Sequence, residues 1–184
     1  LLVRASNLIK GHRQNQQLKQ HQQQLMKLAL TDHLTGLYNR HSLYDLGPKY
    51  VSNALRHETG LSLLVIDLDH FKKINDTRGH SVGDIVLKEI AEVIQHACRT
   101  EDIVARFGGE EFIMLLSNCD LDNAISKAEK LRESIEISKP EGLTVTTSIG
   151  VSQLLPGDDF DTLFDRADKA VYEAKETGRN KVVA

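Results

Sequence analysis

The chain has 184 residues, 40% of them hydrophobic and 27% charged, which suits one globular domain with an appendage and argues against disorder. Its formal net charge of −3 argues against a general polyanion binder, which needs a basic surface, but not against a nucleotide substrate that a few local cations can hold. Cys98 and Cys119 share no metal-ligand spacing and make no disulfide framework, and no apolar run reaches the roughly 18 residues that span a bilayer.

The chain opens on Leu1 rather than Met and carries no signal-peptide pattern, so one expectation is a fragment whose upstream part could hold a sensor or membrane anchor. Residues 12–27 (HRQNQQLKQHQQQLMK) are rich in Gln and free of Pro. With Leu1, Leu8 and Asn15 at heptad position a, Leu18 and Leu25 fall at d, a short and imperfect coiled-coil pattern. Two readings stand side by side: a polar helical linker, and the end of a parallel coiled coil. Residues 1–30 are therefore set apart from a domain over residues 31–184.

Residues 40–57 predict a helix that Gly47-Pro48 should interrupt or kink. The dense apolar run Leu61 to Asp67 predicts a buried strand, and the spacing of Ile85, Ile90, Ile94 and Ala97 a helix over residues 82–99. Two strands, residues 102–107 and 110–116, flank Gly108-Gly109, a strong hairpin signal because tight two-residue turns need positive φ. A helix over residues 122–137, a strand over 143–151, a helix over 161–177 ended by Gly178, and an edge strand at 181–183 follow. This order predicts an α+β fold, a ferredoxin-like βαββαβ core with a central antiparallel sheet flanked by helices.

Asp67 ends the first strand and Glu110 opens the strand after the hairpin. If those strands are neighbours, the two carboxylates meet at the sheet edge, an oxygen pair suited to magnesium that takes further oxygens from phosphate. Consecutive strand residues point to opposite faces, which favours Glu110 as the partner of Asp67 and leaves Glu111 a positioning or proton-accepting role. Asp69 reads most simply as the N-cap of a helix beginning at His70.

Arg106-Phe107-Gly108-Gly109-Glu110-Glu111-Phe112 resembles the signature of GGDEF-type diguanylate cyclases, with Glu in place of the first acidic Asp. Three further blocks occur in family order: Asp32-His33-Leu34-Thr35-Gly36-Leu37-Tyr38-Asn39-Arg40, then Asp67-Leu68-Asp69-His70-Phe71-Lys72-Lys73-Ile74-Asn75-Asp76, and Asp168 to Lys175 followed by Gly178-Arg179-Asn180. The resemblance implies a polymerase-palm-like cyclase that joins two GTP molecules into cyclic di-GMP as a homodimer. Asp67, the Leu68 carbonyl and Glu110 would hold magnesium, or manganese in its place, with Asp67, Glu110 and Glu111 at the chemistry.

Asn75 and Asp84, with His80 nearby, would read guanine, since a carboxylate accepts from N1–H and the 2-amino group and an amide donates to O6. Backbone amides at His70 and Phe71, with Lys72, Lys175 and Arg179, would grip phosphate, and Gly108 and Gly109 would leave room for the nucleotide. Arg99 and Asp102 resemble the family's inhibitory product site, so cyclic di-GMP is expected as product and inhibitor. Asp32 and Arg40 are expected to stabilise the domain. No nucleic-acid polymer and no membrane contact are expected for this segment, and the implied location is cytoplasmic, as output domain of a larger sensor, anchored or soluble. Three alternatives are a degenerate domain that binds nucleotide without catalysis, a cyclase making a mixed dinucleotide, and a pure dimerisation element, which would account for residues 1–28 only.

Overall fold

Along β1 (Leu61–Leu68) every residue is buried, so this strand lies in the middle of the molecule with apolar packing on both faces. The computed structural model describes residues 30–184. After α1 (Arg40–His57) and β1 come α2 (Phe71–Arg78), α3 (His80–His96), β2 (Ile103–Gly108), β3 (Glu111–Ser117) and α4 (Leu121–Ser138). A 3₁₀ turn (Pro140–Gly142), β4 (Thr147–Gln153), α5 (Phe160–Glu176) and β5 (Val182–Val183) complete the chain.

The five strands run in the order β2-β3-β1-β4-β5. β1 is antiparallel to both β3 and β4, and β2 is antiparallel to β3, which is the expected ferredoxin-like core. β5 adds a short edge parallel to β4, so the whole sheet is mixed. Pleat alternation divides the core. Leu64, Ile66 and Leu68 join Phe112, Met114 and Leu116 against α3 and α4. Leu61, Leu63 and Val65 join Ile113 and Leu115 against α1 and α5. At Gly150 the α5 backbone crosses so closely that a Cβ would lie 2.0 Å from the Ala167 carbonyl oxygen.

Beside end shifts such as α3 spanning 80–96 rather than 82–99, three differences from expectation have a cause in the packing or pairing. α1 runs unbroken through Pro48, because its buried face packs on the α5 start: a Cβ on Gly47 would meet the Phe160 ring at 2.4 Å. The pairing of β2 and β3 shifts register between Arg106 and Gly108, so the turn falls on Gly109 and Glu110, with Gly109 at φ 52. The strand expected from residue 143 begins at Thr147, since the 3₁₀ turn and its exit occupy the residues before it. The linker and coiled-coil expectations fall on residues 1–29, outside the described residues. Among the described residues, no helix is long and apolar enough to cross a membrane.

Candidate active site

β1 carries Asp67 to the sheet edge, where register sets it opposite Glu111 on β3 and Ser148 on β4. Asp67 shares a pleat face with Leu63 and Val65, and Glu111 shares that face with Ile113 and Leu115. Both acids therefore point toward the α5 side. From the last turn of α5, the Lys175 Nζ reaches the Asp67 Oδ2 at 2.7 Å.

Glu110 lies in the hairpin turn rather than in β3, so strand parity does not govern its side chain. It approaches Asp67 from that turn. The Glu110 carbonyl accepts from the Leu68 N–H at 3.3 Å, which sets the Leu68 backbone beside Glu110. Burial pushes the Asp67 carboxyl above its ordinary range, opposed by Lys175 and reinforced by the charges of Glu110 and Asp69. Glu111 is raised too, by burial first and then by Asp67, again against Lys175. Negative charge is thus crowded and partly desolvated here.

A second set of bonds holds the hairpin. Arg106 donates through Nε and Nη2 to the Gly109 carbonyl at 3.1 and 2.7 Å, and through Nη1 to Asp32 Oδ1 at 3.2 Å. Asp32 also accepts from the Thr35 N–H and hydroxyl. Burial would raise the Asp32 carboxyl, but the Thr35 bonds and Arg106 together hold it below its ordinary range. Arg40 places its guanidinium 4.3 Å from the centre of the Phe107 ring. The block around Asp32 and Arg40 therefore straps the turn that carries Glu110.

Asn75, on α2, is half-buried over Gly83 of α3, where a Cβ would lie 2.0 Å from the Asn75 Oδ1. Asp84 and His80 are exposed on the same stretch of α3. His70 caps α2 from a left-handed conformation (φ 58) without a side-chain hydrogen bond to it, which leaves the first amides at Phe71 and Lys72 to other acceptors. Lys72 is exposed. Beyond α5, Arg179 and Asn180 are consecutive left-handed residues at φ 63 and φ 46, a conformation costing on the order of 1–2 kcal/mol per ordinary residue.

Arg99 and Asp102 lie away from these acids. The Asp102 side chain is 2% exposed and accepts from the Arg99 N–H at 3.0 Å, the Ser117 N–H at 3.2 Å and the Lys127 Nζ at 2.8 Å. Arg99 is exposed beside a cavity of about 420 Å³ that Asp102, Lys127 and Lys130 also line.

Asp69 is not an N-cap. It is 5% exposed and accepts from the Thr146 and Ser148 hydroxyls at 2.8 and 2.7 Å and from the Asn180 N–H at 3.0 Å. Asn180 stood in the Gly178-Arg179-Asn180 block without a role assigned to it, and its partner Arg132 had no sequence signal of its own. For Asp69 the hint was the strand parity it shares with Asp67.

A hard divalent cation suits the donor set: the carboxylates of Asp67, Glu110 and Glu111 and the Leu68 carbonyl are all oxygen, and their crowded charge calls for a counterion. Among the described residues, no three His, Cys, Asp or Glu side chains converge tightly enough to enclose a metal. A cation that takes its remaining ligands from outside the protein fits that openness.

A family profile described as diguanylate cyclase, GGDEF domain, matches residues 29–181. Diguanylate cyclase A of Treponema denticola is 42% identical over 172 residues, covering 86% of this chain and 45% of that protein. The response regulator PleD of Caulobacter vibrioides is 40% identical over 190 residues, covering 100% of this chain and 42% of that protein. The chain thus spans less than half the length of these relatives. Among solved structures, the coiled coil and GGDEF domain of DgcB from Caulobacter crescentus, in complex with c-di-GMP, superposes with a TM-score of 0.89 at 32% identity, covering 97% of each chain.

Proposed function

Because the chain belongs to the GGDEF domain family, we propose that it is a diguanylate cyclase, condensing two GTP molecules into cyclic di-GMP with release of two pyrophosphates. The observation that carries this reading is the convergence of Asp67, Glu110, Glu111 and Lys175 at one sheet edge. Asp67, Glu110 and the Leu68 carbonyl would hold magnesium, or manganese in its place. When bound, that cation polarises phosphate and neutralises charge developing on it.

The chain's own residues do the rest. Asn75 and Asp84, flanked by His80, read the guanine edge, and adenine would leave them unpaired. The backbone amides at His70 and Phe71, with Lys72, Lys175 and Arg179, orient the triphosphate, and Gly108 and Gly109 allow it close to the hairpin. One domain presents one GTP, so two copies face each other. Each 3′-oxygen forms a bond to the partner's α-phosphorus as the bond to the β-phosphate oxygen breaks. Glu111, its proton affinity raised by burial and by Asp67, is placed to accept the hydroxyl proton.

The exposed Arg99 and the cavity beside it suit a phosphate or guanine edge of the product, giving feedback inhibition. Asp102, its oxygens already engaged, then acts by holding the backbone of Arg99.

Incubation with GTP and magnesium, followed by chromatography, tests the proposal, with Glu110→Gln as control. Cyclic di-GMP from the wild type alone, at a rate rising faster than linearly with protein concentration, is expected. No cyclic di-GMP at any protein concentration would overturn it.

A further inference from the structure

The turn after α5 has an unusual set of restraints for so exposed a segment. The Arg179 N–H is held by the Ala174 carbonyl at 2.9 Å, which closes the helix end. The next N–H, that of Asn180, is held by the Asp69 Oδ2 at 3.0 Å, across 111 residues of sequence. Asn180 in turn accepts through its Oδ1 from the Arg132 Nη1 of α4 at 2.9 Å. Arg132 is fixed on its own helix by Glu129 at 2.8 Å and Glu136 at 3.1 Å.

Asp69 is equally committed on its other side. Its Oδ1 takes the Ser148 hydroxyl and its Oδ2 the Thr146 hydroxyl, so the carboxylate joins the end of β1 to the start of β4 and to the turn. Arg179 and Asn180 are both left-handed, a pair that persists only where the surroundings over-determine it. Asp69 and Arg132 supply that determination, one through the backbone and one through the side chain.

From this geometry we infer that Asp69, Asn180 and Arg132 are positioning residues that fix the turn presenting Arg179 to the substrate's phosphates. The inference rests on the proposed role of Arg179 as a phosphate ligand. Asp69 sits two residues from Asp67, yet its oxygens are spent on three protein donors, which makes it a brace rather than a metal ligand.

The test compares Asp69→Asn and Arg132→Gln, each alone and with Arg179→Ala, by GTP steady-state kinetics and by calorimetric titration with inorganic tripolyphosphate. Arg132→Gln leaves Asp69 and the buried core untouched, so it reports even where Asp69→Asn fails to fold. The expected result is a KM for GTP raised about tenfold by Asp69→Asn and about threefold by Arg132→Gln, with kcat within about twofold. Neither change should raise KM further once Arg179 is Ala, because residues acting through one group are not additive. An equal KM increase in both backgrounds, or a fall in kcat at constant KM, would overturn the inference. Tripolyphosphate affinity lost with Arg132→Gln, in a protein that forms no cyclic product, would sink the cyclase reading while supporting this one.

Discussion

The Lys175 ammonium lies 2.7 Å from the Asp67 carboxylate, a cation from the end of α5 set against an acid at the end of β1. The pair joins the helix layer to the edge of the sheet where Glu111 also lies, and Asp67 is the more buried partner at 8% side-chain exposure. Lys175→Met should therefore lower the unfolding free energy at neutral pH by about 1–3 kcal/mol, the cost of leaving a buried charge unpaired. Asp67 already has a raised carboxyl in the folded state, so its ionisation opposes folding, and losing Lys175 raises it further. The difference between variant and wild type should consequently shrink as pH falls through the raised folded value of Asp67 and vanish where that carboxyl is protonated in both folded proteins. Urea titrations at several pH values, with and without magnesium, check this; magnesium should restore part of the loss.

Glu111→Gln should lower kcat about 100-fold or more with little change in KM, as expected for loss of a proton acceptor. Because burial and Asp67 raise Glu111, its carboxyl should titrate above the ordinary glutamate value of about 4.3 in the metal-free protein, as carboxyl NMR would record, and magnesium should lower it.

Gly83→Ala should retain the fold and lose guanine recognition. The new Cβ would lie 2.0 Å from the Asn75 Oδ1, the movable end of a flexible side chain, and 3.2 Å from the Phe71 Cζ, so Asn75 is displaced while the Phe71 ring gives by a few tenths of an ångström. A KM for GTP raised about tenfold, with weaker discrimination against ATP, is expected in competition assays, since one lost polar contact is worth about 1.4 kcal/mol.

Asp32→Asn should loosen the hairpin from the segment before α1. The folded Asp32 carboxyl is depressed, so its contribution is present above the unfolded value of about 3.9 and is lost as pH falls through the folded value. The variant should be less stable than wild type by about 1 kcal/mol at pH 7 and equal to it at pH 2, as thermal unfolding would record.

Much of the fold was legible in the residues. A dense apolar run marked β1, 3.6-residue spacing marked α3, Gly108-Gly109 marked the hairpin between β2 and β3, and Gly178 marked the end of α5. Pro48 misled, because local propensity carries no information on the Phe160 ring that packs under Gly47 and keeps α1 in one piece. Asp69 misled for a similar reason: a short polar residue before a helix looks like a cap, and its true partners, Thr146, Ser148 and Asn180, are remote in sequence.

The sequence by itself determined the family, the order of elements and the pool of acids, amides and cations, since four ordered blocks and simple periodicities are local properties of the chain. Only the tertiary structure decided which of those groups meet. Register set Glu111, not Glu110, directly across from Asp67, and a bulge moved Glu110 into the turn where pleat parity has no hold. Arg106 strapping Gly109 to Asp32, and Asn180 joining Asp69 to Arg132, span separations of 74 and 111 residues. Such contacts depend on register, twist and helix docking together, and no periodicity in a single chain encodes them.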